Sequence, residues 1–325
     1  MHTGTYEVII IGGGPAGLSA GLYCQRAGLT TVLFEKGLLG GQIAISKEVE
    51  NYPGMEGITG FELAEKLASH ARAFGVTVVQ NTIRKILPGR KHHTVLLDTG
   101  DEIRAHALIL AAGGSVRKLG IPGEAEYLGS GVSYCGTCDG FFFKGREVVV
   151  VGGGDTAAEE ALHLVRLAKR VVLVHRRDTL KAQRLLQSRV LSEPGIEIVW
   201  NSAVTEIRGD GKSVTAVSLV NTLSGERSER PADGVFIFIG YVPNAELIPA
   251  GMRVDELGFV MTDENRETSV PGIFAAGDIR HTFANQIVIA AADGAVAALA
   301  AARHVEILKA GGAPPCTEKN CAIRT

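Results

Sequence analysis

Two cysteines separated by two residues mark the part of this sequence with the clearest capacity for thiol chemistry. The segment reads Cys135-Gly-Thr-Cys138-Asp139-Gly140 and runs directly into Phe141–Phe143. Thiols at this spacing can close a small disulfide ring, and one of them is commonly a thiolate near neutral pH. The pattern predicts a redox-active dithiol at Cys135 and Cys138.

Two glycine-rich segments predict dinucleotide binding. A pyrophosphate has to approach backbone N–H groups at a helix N-terminus, and a side chain at that point would block it. Residues 12–17 and 152–157 both have the required spacing. The positions that form the two cradles are Gly12, Gly14 and Gly17 in the first and Gly152, Gly154 and Ala157 in the second.

The residues that follow the two glycine segments differ in charge. Glu35 stands eighteen residues after Gly17, where a carboxylate accepts hydrogen bonds from the hydroxyls of an unphosphorylated ribose, as in FAD. At the matching position of the second segment stands His175, followed by Arg176 and Arg177. Guanidinium groups pair well with a 2′-phosphate, so the second site is predicted to take NADPH. A solvated basic turn is the alternative reading of the two arginines.

The elements that carry these motifs form an internal repeat. An apolar run precedes each glycine segment, at Val8–Ile11 and Val148–Val151, and the two copies match at an offset of 140 residues. A helical pattern and a second apolar run follow, at Thr31–Phe34 and Val171–Val174. Strand, tight turn, helix and strand make a βαβ unit, and this unit is present twice.

The other three cysteines leave an alternative to the redox dithiol. Cys24 lies in an expected core helix and is interpreted as a small buried hydrophobic residue. Cys316 and Cys321 lie in a tail whose composition predicts a flexible extension. With the Cys-x-x-Cys pair they would supply four ligands for a thiolate zinc centre. We predict no metal, because a flavin and a nicotinamide already form a redox chain that requires a dithiol acceptor.

Length and charge narrow the class of protein. A chain of 325 residues is expected to form two domains. Lys and Arg number 33 against 35 Asp and Glu, so the net charge favours neither nucleic acid nor an anionic membrane as a partner. The start of the sequence has no pattern of a secretory signal, and the apolar stretch Ile287–Ala302 is interrupted by Asp293. We therefore expect a cytoplasmic protein with no membrane span.

At the level of whole motifs, the sequence resembles the bacterial-type, low-molecular-weight thioredoxin reductases over roughly residues 5 to 305. In that family the dithiol lies inside the NADPH domain, just before the second glycine turn, and here thirteen residues separate them. The matching segments are residues 12–17, 40–42, 50–54, 135–140, 152–157, 175–178 and 274–278.

The resemblance implies an α/β protein with two Rossmann-like dinucleotide-binding domains. An FAD domain in two pieces, 1–116 and 245–325, would receive an NADPH domain, 117–244, as an insertion. Buried strands at Ala107–Ala112 and Val235–Ile239, each followed by a glycine turn, support these boundaries. A homodimer and thioredoxin, or a thioredoxin-like protein, as electron acceptor are also implied.

The resemblance also implies the site residues. Cys138 would face the flavin, Cys135 would attack the acceptor disulfide, and Asp139 would supply a proton, which needs a pKa raised by burial beside Phe141–Phe143. A simple turn residue is the alternative for Asp139, and a capping residue is the alternative for Asp278. The implied cofactor-binding residues are Gly12, Gly14, Pro15, Ala16, Gly17, Glu35, Gly41, Gln42, Asn51, Asp278, Asn285, Gln286 and Ile287 for FAD, and Gly152, Gly154, Asp155, Thr156, Ala157, His175, Arg176, Arg177 and Lys181 for NADPH.

Three features depart from the family pattern. Asn285 stands where the family often has Arg or Lys, next to the helix that would point at the flavin. Lys181 replaces the last arginine of the nucleotide motif and keeps a point charge without the planar fork. The tail beyond residue 305 is not part of the pattern.

Other flavoproteins are the competing functions. A hydroperoxide-reductase partner would need an extra N-terminal thioredoxin-like region, for which we see no room before Tyr6. A ferredoxin–NADP reductase lacks the dithiol. A dithiol oxidase uses O₂ in place of a nucleotide, which the arginine pair argues against. A reductase of another small redox partner remains the alternative to a thioredoxin reductase, and binding alone would explain neither the two cofactor sites nor the dithiol.

Overall fold

The chain divides into two compact units. The computed structural model describes residues 5–46 and 49–312, so the predictions for Cys316 and Cys321 lie outside the described residues. Unit 1 consists of Met1–Ser115 and Val242–Thr325, and unit 2 is Val116–Tyr241. Unit 1 is thus discontinuous in sequence, and unit 2 is an insertion. The two crossings, β7 (Gly114–Val116) and β16 (Tyr241–Pro243), pair with each other.

Unit 1 is built on a sheet that has seven strands within the described residues, namely β1 (Thr5–Ile11), β2 (Thr31–Glu35), β3 (Thr77–Gln80), β4 (Ile83–Leu87), β5 (His93–Leu97), β6 (Glu102–Leu110) and β17 (Ile273–Ala275). Six of them lie in the order β3-β2-β1-β6-β5-β4, and β17 also pairs with β6. In this unit the pairs among β1, β2, β3, β6 and β17 are parallel, whereas β5 is antiparallel to both β4 and β6. Its helices are α1 (Pro15–Arg26), α2 (Gly60–Ala73) and α6 (Ile287–Lys309), and a short 3₁₀ turn covers Ala245–Leu247.

Successive side chains of β1 point to opposite faces of the sheet, and both faces are buried. Val8 and Ile10 belong to the apolar cluster formed with α1 and α6. Ile9 and Ile11 belong to a second cluster on the opposite face, formed with β4, β5 and β17. A strand buried on both faces reads as a continuous apolar run, which is the pattern seen in the sequence.

Helix α6 is the one described helix that is long and apolar enough to cross a membrane. It packs along α1 and places Ala297, Ala301 and Val305 in the core of unit 1. Asp293 on the same helix is only 2% exposed and forms ion pairs with Arg266, at 2.7 Å, and with Arg280, at 3.0 Å. These contacts are those of a core helix.

Unit 2 contains a five-stranded parallel sheet of β8 (Val132–Ser133), β9 (Glu147–Gly152), β10 (Arg170–Val174), β11 (Ile196–Val199) and β15 (Gly234–Phe238). These strands lie in the order β11-β10-β9-β15-β8. Three helices, α3 (Gly136–Asp139), α4 (Asp155–Leu164) and α5 (Arg184–Ser192), and an antiparallel sheet of β12 (Ser202–Gly209), β13 (Val214–Asn221) and β14 (Arg227–Pro231) complete the unit.

The parallel sheet of unit 2 is buried between two layers. Val148 and Val150 on β9 pack against α4. Val149 and Val151 face the opposite way, toward the antiparallel sheet, where Val217 lies in the same cluster. The predicted fold class, α/β with two Rossmann-like dinucleotide-binding domains, is confirmed.

Candidate active site

The two cysteines of the Cys-x-x-Cys segment form a disulfide in unit 2. Their Cα atoms lie 5.3 Å apart. Cys135 immediately precedes α3, a single turn that ends at Asp139, whose N–H donates to the Cys135 carbonyl at 3.1 Å. The turn therefore holds the sulfur pair in place. Both cysteines are half-buried, so the disulfide is not sealed in the core.

Ser133 links this turn to the sheet. It is the last residue of β8 and is buried. Its hydroxyl accepts the Cys135 N–H at 3.0 Å and donates to Asp139 Oδ2 at 2.6 Å. One side chain therefore fixes the backbone at the first cysteine and the carboxyl group that follows the second.

Asp139 is suited to hold a proton. Burial raises its pKa above the usual range, and the hydrogen bond from Ser133 opposes part of that shift. The expected cover by the phenylalanines is only partly realised, because Phe141 and Phe142 are exposed, whereas Phe143 turns inward and packs against Phe236 at 5.1 Å between ring centroids.

Glu160 on α4 is a second carboxyl group beside the dithiol turn, and the sequence analysis did not identify it. A Cβ on Gly136 would lie 2.2 Å from Glu160 Oε2, so this oxygen packs directly against the first turn of α3. The backbone N–H of Thr137, which lies between the cysteines, donates to the Glu160 carboxyl. Oε2 itself is buried and has no hydrogen-bond partner among the described residues.

The spacing along α4 is a signal that could have revealed Glu160. It lies three residues after Ala157 and four before Leu164, both of which are buried, so a carboxylate occupies the apolar face of the helix. Burial raises the pKa of Glu160 to about 7, with a smaller contribution from the charge of Glu159.

The first glycine turn joins β1 to α1 in unit 1. A Cβ on Gly17 would lie 1.8 Å from the Gly12 carbonyl oxygen, so only glycine lets the helix approach the turn this closely. At Gly14, which caps α1 without a side-chain hydrogen bond, a Cβ would meet nothing within 4 Å. The turn thus leaves open space at a helix N-terminus, and this space fits the pyrophosphate of FAD.

Other predicted flavin-site residues surround the same turn. Gly41 approaches Gly14, with 3.5 Å between a Cβ built on Gly41 and the Gly14 Cα, and a Cβ on Gly277 would lie 3.0 Å from the Ala16 Cβ. Gly277 begins the short turn Gly277–Ile279, which contains Asp278 and follows β17. The ends of β1 and β17 and the start of α1 therefore meet, as a dinucleotide site requires.

The remaining predicted flavin-site residues fall into separate contacts within unit 1. Both carboxylate oxygens of Glu35 accept backbone N–H groups, from Gly13 at 2.6 Å and from Gly37 at 2.7 Å. Asn51 donates to Gln286 Oε1 at 3.0 Å, immediately before α6. The side-chain amide of Gln42 donates to the carbonyl of Gly114 at the start of β7. Asn285 is exposed. Pro15 is the first residue of α1, and Ile287 is the first residue of α6.

The second glycine turn has the same construction in unit 2. A Cβ on Gly152 would lie 2.6 Å from the Ala157 Cβ, whereas one on Gly154 would meet nothing within 4 Å. His175 is buried against Gly153, and its Nδ1 lies 2.8 Å from the Gly152 carbonyl oxygen, so Nδ1 carries the proton. His175 therefore shapes the turn rather than presenting its ring to solvent.

Three cations lie around this second turn. Arg176, Arg177 and Lys181 are exposed, and none of them forms an ion pair with another residue in the ranges 5–46 and 49–312. The Lys181 N–H donates to the Gly153 carbonyl at 2.7 Å, and Asp155 Oδ1 accepts the Gln183 N–H at 2.7 Å. These bonds fasten the Lys181 loop to the turn at the start of α4, where Thr156 is exposed.

Comparison with known proteins places this arrangement in a family. The family profile of pyridine nucleotide-disulphide oxidoreductases matches residues 6–298. Thioredoxin reductase of Listeria innocua is 48% identical over 304 residues, covering 94% of this chain and 95% of its own. Thioredoxin reductase of Bacillus subtilis is 46% identical over 304 residues, which cover 94% of this chain and 96% of its own.

A solved structure agrees with the sequence relatives. The crystal structure of thioredoxin reductase from Streptococcus pyogenes is 39% identical, covers 93% of this chain and 98% of its own, and superposes with a TM-score of 0.89. Sequence and fold thus agree over nearly the whole chain. The chain belongs to the thioredoxin reductases, FAD- and NADPH-dependent flavoproteins of the pyridine nucleotide-disulphide oxidoreductase family.

Proposed function

We propose that this chain reduces the disulfide of thioredoxin with electrons from NADPH, which pass through FAD and the Cys135–Cys138 pair. The observation that carries the proposal is the disulfide itself, which lies on a one-turn helix with Asp139, whose pKa is raised by burial, at its end. The thioredoxin reductases that resemble the chain over 94% of its length support it.

The cofactor sites are assigned to the two glycine turns. FAD would lie at the turn of unit 1, with Gly14, Gly41 and Asp278 around it, and the domain would comprise residues 1–116 and 245–325. NADPH would lie at the turn of unit 2, within residues 117–244, with its 2′-phosphate against Arg176 and Arg177. FAD, when bound, accepts a hydride from NADPH and delivers two electrons to a disulfide.

The two cysteines have different roles in this proposal. Cleavage of their disulfide leaves Cys138 on the flavin side and frees Cys135 to attack the disulfide of thioredoxin. Asp139 holds the proton that the departing thiolate takes up when the Cys135–Cys138 disulfide is cleaved. The raised pKa of Asp139 lets its carboxyl group stay protonated to higher pH than an ordinary carboxyl group.

Assembly and location belong to the same proposal. The family resemblance supports a homodimer and a cytoplasmic location, where thiols such as the buried Cys24 are kept reduced. Sedimentation velocity of the flavin-loaded protein tests the dimer, and a single sedimenting species with the mass of one chain would reject it.

The decisive experiment is anaerobic titration of the flavin-loaded protein with NADPH and with NADH, followed by turnover with a panel of thioredoxins. Rapid NADPH oxidation with at least one thioredoxin is expected. Turnover only with another small redox protein would support the alternative acceptor. Sustained O₂ consumption with a small dithiol and without NADPH would identify a dithiol oxidase instead.

A further inference from the structure

Glu160 is half-buried beside the dithiol, with its Oε2 atom fully buried, and the function proposed above does not use it. Its Oε2 lies against Gly136 and is unpartnered among the described residues, while the N–H of Thr137 reaches the carboxyl group. Gly136 and Thr137 are the two residues between the cysteines. The carboxyl group therefore supports the dithiol loop from the side of α4.

The charge state of this group matters because the site itself changes charge. A buried carboxylate without a cation is costly, so the neutral acid is favoured whenever a second negative charge forms nearby. Reduction of a disulfide creates such a charge, since one of the two sulfurs commonly remains a thiolate.

Among residues 5–46 and 49–312, no cation compensates the charge of an ionised Glu160. On its own helix the titratable neighbours are Asp155, Glu159 and His163, and α3 contributes Asp139. The other elements packed against α4 carry Arg184 and Arg189 on α5, Glu147 on β9 and Arg170 on β10. Among these groups, only Glu159 acts electrostatically on Glu160, and it disfavours the ionised form.

We propose that Glu160 is a positioning residue of the dithiol that takes up a proton when the Cys135–Cys138 disulfide is reduced and releases it when the disulfide forms again. Two electrons from NADPH, passed on by FAD, break the S–S bond. One sulfur takes a proton and becomes a thiol, and the other remains a thiolate. A second proton, from solvent, binds Glu160 and keeps the carboxyl group neutral beside that thiolate.

This inference rests on the dithiol being the redox centre, and its test does not depend on turnover. The flavin-loaded protein is reduced anaerobically with dithiothreitol and desalted. The rate at which iodoacetamide alkylates Cys135 and Cys138 is then measured by mass spectrometry between about pH 6 and pH 9. In the unmodified protein the rate rises in two steps, because ionisation of Glu160 raises the pKa of the reactive thiol.

In Glu160→Gln the alkylation rate should rise with pH in a single step. The midpoint of that step should lie about 1 pH unit or more below the upper step of the unmodified protein, since the carboxylate charge no longer opposes the thiolate. Glu159→Gln, the matched control on the same helix, should keep both steps. A Glu160→Gln profile that superposes on that of the unmodified protein overturns the proposal. The proposed function fails by a different result, namely thioredoxin turnover that survives replacement of a cysteine.

A second measurement covers the case in which Glu160→Gln does not fold. The infrared difference spectrum between reduced and oxidised protein should show a gain of protonated carboxyl near neutral pH. Asp139→Asn separates the two buried carboxyl groups, and the gain should persist in that variant. Loss of the gain in Asp139→Asn would assign the proton to Asp139 and overturn the proposal for Glu160.

Discussion

The Ser133 hydroxyl donates a hydrogen bond of 2.6 Å to Asp139 Oδ2, and the Ser133 oxygen itself accepts the N–H of Cys135 at 3.0 Å. Because the hydroxyl stabilises the ionised carboxylate, it keeps the pKa of Asp139 below the value that burial alone would impose. The link connects Asp139, the proposed proton donor, to the backbone of Cys135.

Replacing Asp139 should affect the half-reaction in which thioredoxin is reduced and not the one in which NADPH reduces the flavin. Asp139→Asn is expected to slow reduction of thioredoxin, by roughly 10²-fold or more, because the leaving thiolate loses its acid. Reduction of the flavin by NADPH should change little. Stopped-flow measurement of the two half-reactions separates them, and an equal loss in both would show that Asp139 has a structural role.

Removing the Ser133 hydroxyl should raise the pH above which the reduction of thioredoxin declines. In Ser133→Ala the pKa of Asp139 rises further, so the pH above which the acid is lost, and thioredoxin reduction declines, shifts upward. The pH profile of kcat/KM checks this. Ser228→Ala, which removes an exposed hydroxyl from β14, should leave this pH limit in place, and a downward shift in Ser133→Ala would contradict the account.

Nucleotide preference should depend on the exposed arginine pair. A bidentate, charge-assisted contact contributes roughly 1.5–3 kcal/mol, so NADPH should be preferred over NADH by about 10-fold or more. Replacing both Arg176 and Arg177 with Ala should remove most of that preference, measured as the ratio of kcat/KM values. Arg227→Ala, an exposed arginine on β14, is the control. A preserved ratio in the double variant would reject the assignment.

Two buried histidines should make unit 1 sensitive to acid. Burial lowers the pKa of His93 and of His304 to about 4, with smaller contributions from neighbouring histidine charges. The unfolded chain binds these protons near pH 6.5, so the free energy of unfolding falls as the pH drops from about 6.5 to 4, by at most about 3 kcal/mol per histidine.

Urea unfolding of the flavin-loaded protein at several pH values measures this loss. His93→Gln and His304→Gln should each flatten the pH dependence, whereas His70→Gln, at an exposed position of α2, should not. If the unmodified protein is equally stable across that pH range, the two histidines are not held neutral by the fold.

The two thiols should be distinguishable by spectroscopy. Cys135→Ser leaves Cys138, which we assign to the flavin side, and its thiolate should give a long-wavelength charge-transfer absorbance with oxidised flavin. Cys138→Ser should give none. The reverse pattern would exchange the two roles.

The glycine turns could be predicted residue by residue because the backbone there leaves little choice. A side chain at Gly17 would overlap the Gly12 carbonyl, and the same crowding occurs at Gly152, so the glycine spacing, repeated in two matching strand–helix–strand segments, identified both turns. The apolar runs that became β1 and β9 were equally clear, since both of their faces are buried.

Local patterns could not predict the contacts that support the dithiol turn, although the spacing along α4 does place Glu160 on the apolar face of that helix. Glu160 is brought to α3 by α4, a later segment of the chain, and the hydrogen bonds of Ser133 to Cys135 and Asp139 depend on how the chain turns after β8. The same reason hides the packing of His175 on Gly153, since spacing suggested only a nucleotide contact. Tertiary packing decides these positions.

Thioredoxin-dependent oxidation of NADPH by single-cysteine variants tests the central claim most directly. If electrons reach thioredoxin through the Cys135–Cys138 pair, Cys135→Ser and Cys138→Ser will both lose turnover to the background rate, although NADPH still bleaches their flavin. Substantial turnover in either variant would show that the electrons take a path that does not require the dithiol, and would contradict the account.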